Sequence, residues 1–528
     1  MGMEDSVPNG YKSYEEFRKH YRTSDRWAFF DGDQTRFNIA HECVDRHPKE
    51  KPAINIVFDD GRCETHTFGT LSRRTSQFAH AMTRLGIKQG DRIALAMNPS
   101  LEFYVSLHGI LKMGAVVVAC SPLFGTEALE FRLSKSNAKI LIIGENGREM
   151  IKPGLVDRVI SAEELIGLIE KEDENYEPHT FLDTLAFLQF SSGTTGLPKA
   201  VEYRHRSVGV VAFRMKFVAG IRDNDRYFCP SSPAWGHGIW YGSVGPLVFG
   251  KAIGAYSGKF SAEMLLHGLE KFEITSMYAT PLIYRRIMET GRLTDYHLKL
   301  RRLTYTGGAL SIDIIRYFQD KLGLIIQTNY GSTETGGFLA DYDFDDWVAK
   351  PGSLGKPLPG VTVGILDEQG QELRPGQVGQ IAVRFKKDEP WRKMGDSGYE
   401  DDDGYFWYKS RIDDVIISAG YTIGPLEIES VLLKHPAVRE AVVVGSPDPK
   451  RGEIVKAFII TDSKKDDRLK EDIREFIKTR LSKHEYPREI EFVDELPTTP
   501  DGKVKRKELK MREYQRVNSE DGKYLAKS

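Results

Sequence analysis

Between Leu71 and Ile143 two kinds of apolar segment alternate, and this alternation limits what the chain can fold into. Leu71 to Leu85 has the spacing of an amphipathic helix and stops at Gly86. Arg92-Ile-Ala-Leu-Ala-Met97 reads as a buried strand, Leu101 to Met113 as a helix, and Ala115 to Cys120 and Asn137 to Ile143 as further strands. A strand that is apolar at nearly every position must be covered on both faces, as in a parallel sheet whose crossovers are helices. The rhythm resumes with Leu185-Ala-Phe-Leu-Gln-Phe190 and continues to about residue 340, after a polar, acidic connection over 170–180. Pro351 to Gly360 is rich in turn residues, and Val361 to Phe385 reads as β-hairpins turning at Asp367–Gly370 and Pro375-Gly376. A small α+β unit begins after Arg411, with helices near 426–433 and 471–481 and strands near 441–444 and 456–460. The lysine-rich end (Lys503, Lys505, Arg506, Lys507, Lys510) reads as a solvated helix face. At 528 residues the chain exceeds one ordinary core, since domains run to about 100–200 residues.

Bulk properties remove several function classes. The net charge of −2 supplies no basic field for nucleic acid. No apolar run approaches the roughly 20 residues that cross a bilayer. The cysteines Cys43, Cys63, Cys120 and Cys229 form no CxxC pair, so a zinc site or redox dithiol is not expected and a reducing compartment is. The start is acidic and lacks an apolar targeting core. Gly2 to Ser6 matches a crude myristoylation pattern that is short enough to arise by chance. A cytoplasmic location is expected.

The strand at 185–190 runs into Ser191-Ser-Gly-Thr-Thr-Gly-Leu-Pro-Lys199. Two glycines let the backbone turn tightly and present N–H groups to an anion. Ser192, Thr194 and Thr195 add hydroxyl donors, and Lys199 a positive charge. The GxxxxGK[ST] spacing of a Walker loop is absent. A phosphate cradle and a flexible surface turn both fit these residues alone.

The nine residues resemble the nucleotide-binding loop of the acyl-adenylate-forming superfamily, and five further segments continue the resemblance in order. These are Thr306-Gly-Gly-Ala-Leu310, Asn329-Tyr-Gly-Ser-Thr-Glu334, Gly395-Asp-Ser-Gly398, Arg411-Ile-Asp-Asp-Val-Ile416 and Pro500-Asp-Gly-Lys503. Asp403 to Tyr408, Ser418 to Lys456, Tyr486-Pro-Arg488 and Gly502 to Lys507 are most similar to the medium-chain acyl-CoA synthetases. The resemblance implies a large α/β N-terminal domain, with parallel sheets covered by helices plus a small β-rich subdomain, over 1–410. A hinge at 411–414 about Asp413 and a small mobile α+β domain over 415–528 follow. It implies an ATP-dependent acid–CoA ligase using ATP, Mg²⁺ and coenzyme A on a carboxylic acid.

Site roles follow from the same resemblance. Ser191, Ser192, Gly193, Thr194, Thr195, Gly196 and Lys199 would hold the ATP phosphates. Gly308, Ala309, Asn329, Tyr330, Gly331 and Ser332 would line the adenine slot, with Tyr330 stacking on the base. Thr333 would contact the α-phosphate, and Glu334 would ligate Mg²⁺, a hard cation suited to oxygen donors. Asp396 and Arg411 would hold the ribose, and Lys503 would reach the carboxylate and α-phosphate during adenylation. Gly420, Tyr421 and Arg451 would serve CoA. Trp235, His237, Trp240 and Gly331 would border the acyl pocket, although Trp240 reads equally as core.

The chain departs from the pattern in places. Thr422 stands where medium-chain members usually carry Arg, which removes an expected phosphate contact, and Asp501 replaces a usual Ser. Acetate-specific relatives place Trp where this chain has Gly331, so a medium-length, branched, alicyclic or aromatic acid is expected. With no carrier domain following Ser528, free CoA is the expected acceptor. A carrier-protein acceptor and a non-catalytic acyl or nucleotide sensor are the alternatives.

Overall fold

The computed structural model describes residues 11–33, 35–144, 151–191, 198–308, 310–332, 335–418, 421–449, 451–481, 486–499 and 504–525. The chain divides into two compact units. One is Met1–Gly352 with Leu358–Gly360, and the other is Ser353–Pro357 with Val361–Ser528.

The first unit contains two mostly parallel sheets. One runs in the order Arg158–Ser161, Ile140–Ile143, Arg92–Ala96, Val116–Ala119, Leu185–Ser191, Lys199–Arg204, and only its last pair is antiparallel. The other runs Gly336–Ala340, Ile326–Ser332, Arg302–Tyr305, Ser276–Ala279, Tyr227–Phe228, Ile253–Ser257, Pro52–Phe58, Cys63–Thr67, antiparallel only at its outer pairs. The strands Arg92–Ala96, Val116–Ala119 and Ile140–Ile143 are buried almost throughout, as their unbroken apolar runs require. The helix expected from Leu71 starts at Phe68, because the Thr67 hydroxyl accepts from the Thr70 amide and caps it. The strand expected from Asn137 starts at Ile140. Asn137 instead takes the left-handed conformation, φ 49°, and ends the helix Thr126–Ser136.

Two histidines are buried neutral in this unit. His205 Nδ1 accepts the Ile39 amide at 3.0 Å, which places the proton on Nε2, and burial pushes its pKa down to about 3. His108 Nε2 donates to the Ser243 carbonyl at 3.2 Å, and burial pushes its pKa down to about 4. The unfolded chain takes up these protons near pH 6.5 and the fold does not. Stability is therefore complete above about 6.5 and falls as the pH drops toward 4. Denaturant unfolding between pH 7 and 5 is expected to show this slope, and His108→Gln to flatten it by up to about 1.4 kcal/mol per pH unit. An unchanged slope would mean that His108 titrates alike in both states.

The second unit holds a four-stranded antiparallel sheet, Thr362–Leu366, Gly379–Arg384, Arg392–Glu400, Phe406–Arg411. It also holds a five-stranded sheet of Tyr421–Ile423, Ile416–Ser418, Gly452–Ile460 and Glu440–Asp448, with Glu489–Phe492 beside Gly452–Ile460. Helices Pro425–Leu432 and Asp467–Lys478 supply Ile428, Leu432, Ile473 and Ile477 to its core. The lysine-rich end is not simply a solvated face. The helix Arg506–Leu525 buries Leu509 and Glu513, and Glu513 accepts from the buried Lys456 at 2.8 Å and from the Ser446 hydroxyl at 3.0 Å. No described helix is long and apolar enough to cross a membrane.

Candidate active site

The strand Leu185–Ser191 turns back on itself, and Ser191 pairs with Lys199 at the start of the exposed return strand. The two strands on either side of the phosphate-type segment therefore pair with each other. Ser192, Gly193, Thr194, Thr195 and Gly196 lie outside the described residues, as do Ala309, Thr333, Glu334, Gly420 and Lys503.

On the neighbouring sheet the structure brings the adenine-side candidates together. Thr306 leaves the end of Arg302–Tyr305, and its hydroxyl donates to the Asn329 carbonyl at 2.6 Å on the adjacent strand. Gly308 follows, and a β-carbon there would only touch Pro281 at 3.8 Å. Tyr330 is half-buried with its ring edge-on to Phe338. Asn329 donates from Nδ2 to the Tyr278 hydroxyl at 2.6 Å, while its buried Oδ1 has no partner among the described residues. A buried acceptor without a donor is costly. Ser332 and Thr335, on either side of Thr333 and Glu334 in sequence, hydrogen-bond to each other.

Gly331 has a reason of its own. A β-carbon there would lie 2.0 Å from the Gly336 carbonyl oxygen, at a bulge between the paired strands. The space beside this glycine is filled by backbone, so its hydrogen does not by itself enlarge an acyl cavity.

The acyl-side candidates sit on or beside the short helix Gly236–Gly242. His237 Nδ1 is 2.8 Å from the Ser231 hydroxyl, and its ring meets Tyr278 edge-on at 4.5 Å. Trp235 precedes the helix and packs edge-on against Phe124. Trp240 belongs to the core, 6% exposed against Phe187 and Tyr203. Its neighbour Tyr241 faces the other way, with its ring 5.2 Å from Tyr278 and its hydroxyl 3.3 Å from Arg214 Nη1. Tyr278 and Arg214 lie in stretches without a motif, so nothing in the sequence marks them; only the fold puts them here.

In the second unit Asp396 and Arg411 are opposite each other on paired strands, with Arg411 Nη1 donating to Asp396 Oδ1 at 3.0 Å. Burial favours a neutral Arg411, yet the adjacent Asp396 raises its pKa above the ordinary value. Three residues later, Asp414 lies 3.6 Å from Arg506. Arg506 also grips both carboxylate oxygens of Glu429, at 2.6 and 2.8 Å, and Glu429 accepts the Val443 amide at 2.6 Å. The chain is therefore clamped at Arg411 to one sheet and at Asp414 to the other. Ile412 and Asp413 lie between, and Asp413 is solvent-facing. Arg506→Ala would strand a buried carboxylate, which costs about 3–5 kcal/mol. Urea unfolding of the purified protein is expected to show that loss, and a change below about 1 kcal/mol would remove this pair from the account of the fold.

Ser418 pairs with Tyr421 and, on its other side, with Gly452, the residue after Arg451. The guanidinium of Arg451 has no partner among the described residues, and its amide is held by Asp448. On either side of residues 500–503 in sequence, Thr498 pairs with Val504 and the Lys505 amide donates to the Pro497 carbonyl at 2.8 Å.

Residues 40–386 match the model of the AMP-binding enzyme family, and residues 427–503 that of the AMP-binding enzyme C-terminal domain. The chain belongs to the AMP-binding enzyme family. It is 33% identical to an acetyl-coenzyme A synthetase of Bacillus subtilis over 94% of this chain and 95% of that protein. It is 31% identical to the mitochondrial acyl-coenzyme A synthetase ACSM3 of Rattus norvegicus, over 96% and 95%. The crystal structure of an acyl-CoA synthetase from Brucella canis superposes with a TM-score of 0.74 at 30% identity, covering 96% of this chain and all of that one. This member of the AMP-binding family falls among its AMP-forming acyl-CoA synthetases, which are ATP- and CoA-using acid–thiol ligases.

Proposed function

We propose that this AMP-binding enzyme activates a medium-length, branched, alicyclic or aromatic carboxylic acid and passes it to coenzyme A. The supporting observation is one continuous run of contacts. Thr306 bonds to Asn329, Asn329 to Tyr278, and Tyr278 packs on His237, so the adenine-side strand and the acyl-side helix are directly coupled. An acid and a nucleotide held on these two elements would be neighbours, and alignment of two reactants is worth several powers of ten in rate.

A carboxylate oxygen attacks the α-phosphorus, the bond to the β-phosphate bridging oxygen breaks, and pyrophosphate leaves. The thiol sulfur of CoA then attacks the acyl carbon, and AMP departs with its phosphate as the thiol gives up its proton. Both reactants of the first step are anions, so positive charge must stand between them. Lys199, Lys503 and a Mg²⁺ held by Glu334 would supply it. Asn329 Oδ1 and Tyr330 would bind adenine, and Asp396, oriented by Arg411, the ribose. Arg451, beside the Ser418–Tyr421 hairpin, would take a CoA phosphate. Clamps at Arg411 and Asp414 favour a swivel at Asp413 that withdraws Lys503 before the thiol enters.

The test is an end-point assay with ATP, Mg²⁺ and CoA against acids from acetate through butyrate, 2-methylbutyrate, hexanoate, octanoate, cyclohexanecarboxylate and benzoate. AMP and thioester in equal amounts, greatest for an acid larger than acetate, are expected. AMP without thioester would move the acceptor to a carrier protein, and acetate as the best substrate would overturn the proposed pocket.

A further inference from the structure

The strands on either side of residues 419–420 are tied unevenly to the rest of their sheet. Ile416–Ser418 and Tyr421–Ile423 pair with each other along their whole length, as do Glu440–Asp448 and Gly452–Ile460. Ile416–Ser418 meets Gly452–Ile460 only at Ser418 and Gly452 among the described residues. One residue before Ser418, the Ile417 amide donates to a side chain of that strand, Glu453 Oε2, at 3.0 Å. A carboxylate thus adds a second tie between strands that share one ladder pair.

Glu453 is 8% exposed, and both of its oxygens are engaged. Oε1 accepts the Tyr514 hydroxyl at 2.8 Å and Lys510 Nζ at 3.0 Å, both from the helix Arg506–Leu525. A β-carbon at residue 445 would lie 2.6 Å from the carboxyl carbon, so Gly445 leaves the carboxylate its place. Desolvating a carboxylate is costly unless its oxygens are matched. Here the helix matches one and the Ile417 amide the other, in a charge-assisted bond stronger than a neutral one. Glu429 also accepts a strand amide, that of Val443, but Val443 lies in a strand already paired along its whole length. Without Glu453, Ile416–Ser418 would keep one described ladder pair to its neighbour.

We propose that Glu453 is a positioning residue for thioester formation. Through the Ile417 amide it sets the backbone on both sides of residues 419–420 in the register at which Gly420, Tyr421 and Arg451 receive CoA. This rests on the ligase reading and on the role it gives those three residues. Glu453 stands two residues after Arg451, and Ile417 three before Gly420, so one bond joins the two CoA-side segments. Asp396 and Arg411, which that reading gives to the nucleotide, pair on the other sheet of this unit, and Glu453 bonds to neither.

The test measures the two half-reactions separately on the full-length protein, with the acid that yields most AMP and with its supplied acyl-adenylate. Glu453→Ala is expected to lower kcat/KM for CoA about 10–100-fold, chiefly through KM, the scale on which a small misplacement is felt. Pyrophosphate release from ATP and acid without CoA should stay within about threefold. Glu453→Gln keeps an oxygen for the Ile417 amide and should recover most of the loss. Lys510→Met removes the ion pair but not the amide bond, and should leave kcat/KM for CoA within about threefold. Where Glu453→Ala fails to fold, Gly445→Ala, whose methyl would push the carboxylate aside, is expected to show the same selective loss and decides in its place. A kcat/KM for CoA within about threefold of wild type would overturn the proposal while leaving the ligase intact. So would an equal loss in both half-reactions, or a loss in Glu453→Gln or Lys510→Met as large as in Glu453→Ala. Absence of AMP and thioester from the wild-type protein with every acid would overturn the ligase reading itself and this proposal with it.

Discussion

Lys503→Ala is expected to lower acyl-adenylate formation about 10²–10³-fold, the scale on which removal of a group that stabilises transition-state charge is felt. Thioester formation from supplied acyl-adenylate and CoA should stay within about threefold. The reason for the split is chemical. Adenylation brings a carboxylate against a polyphosphate and needs a cation between them, whereas thiol attack on an acyl-adenylate places no second anion at phosphorus. The described contacts on either side of Lys503 are backbone ones, the pairing of Thr498 with Val504 and the Lys505 amide on the Pro497 carbonyl. Side-chain truncation at residue 503 removes none of those bonds. Pyrophosphate release and thioester yield, measured separately on the variant, give the two numbers. Equal loss in both would mean that one arrangement of the chain serves both steps.

The second large effect concerns Gly331→Trp. From the sequence this change looks like a route to an acetate specialist, because an indole would shorten the acyl cavity. From the structure a general loss is expected instead. The first side-chain carbon would already meet the Gly336 carbonyl oxygen at 2.0 Å, and the carbon of that carbonyl at 2.6 Å. Backbone in a paired strand cannot step aside as a side-chain tip can, and overpacking of this kind costs about 1–3 kcal/mol or more. The shift would pass to Asn329, whose Oδ1 lies where a β-carbon of Gly337 would stand. Activity on every acid, acetate included, is expected to fall at least about 100-fold, the scale of displacing aligned reactants. A variant that keeps its acetate activity and loses only the longer acids would show that this bulge yields.

Much of the architecture was legible because it follows from period and punctuation. The unbroken apolar runs at 92–97, 115–120 and 185–190 are buried strands of one sheet, as their composition requires. Boundaries slipped where one polar side chain decides them, as at Thr67, which starts a helix early, and at Asn137, which ends one. Candidate residues could be named from the sequence where a motif is contiguous, and most of those in the loops lie outside the described residues. They could not be named where partners come from distant segments: Tyr278, Arg214 and Arg506 each act through residues more than 25 positions away. Charge composition alone misplaced Arg506, since a lysine-rich stretch cannot reveal that one of its cations is turned inward to a buried glutamate.

The two clamps that flank Ile412 and Asp413 would set the kinematics of the proposed swivel. Two residues between fixed points offer four soft torsions and no slack, because the peptide bonds themselves stay planar. A longer tether would let its cargo diffuse through many orientations and search for the right one. If residues 412 and 413 are the swivel proposed above, a joint this short would act as a pivot with few stops, each a combination of backbone angles that the two residues can adopt without clash. The timing of the two half-reactions would then be written into a handful of dihedral wells rather than into the length of a linker.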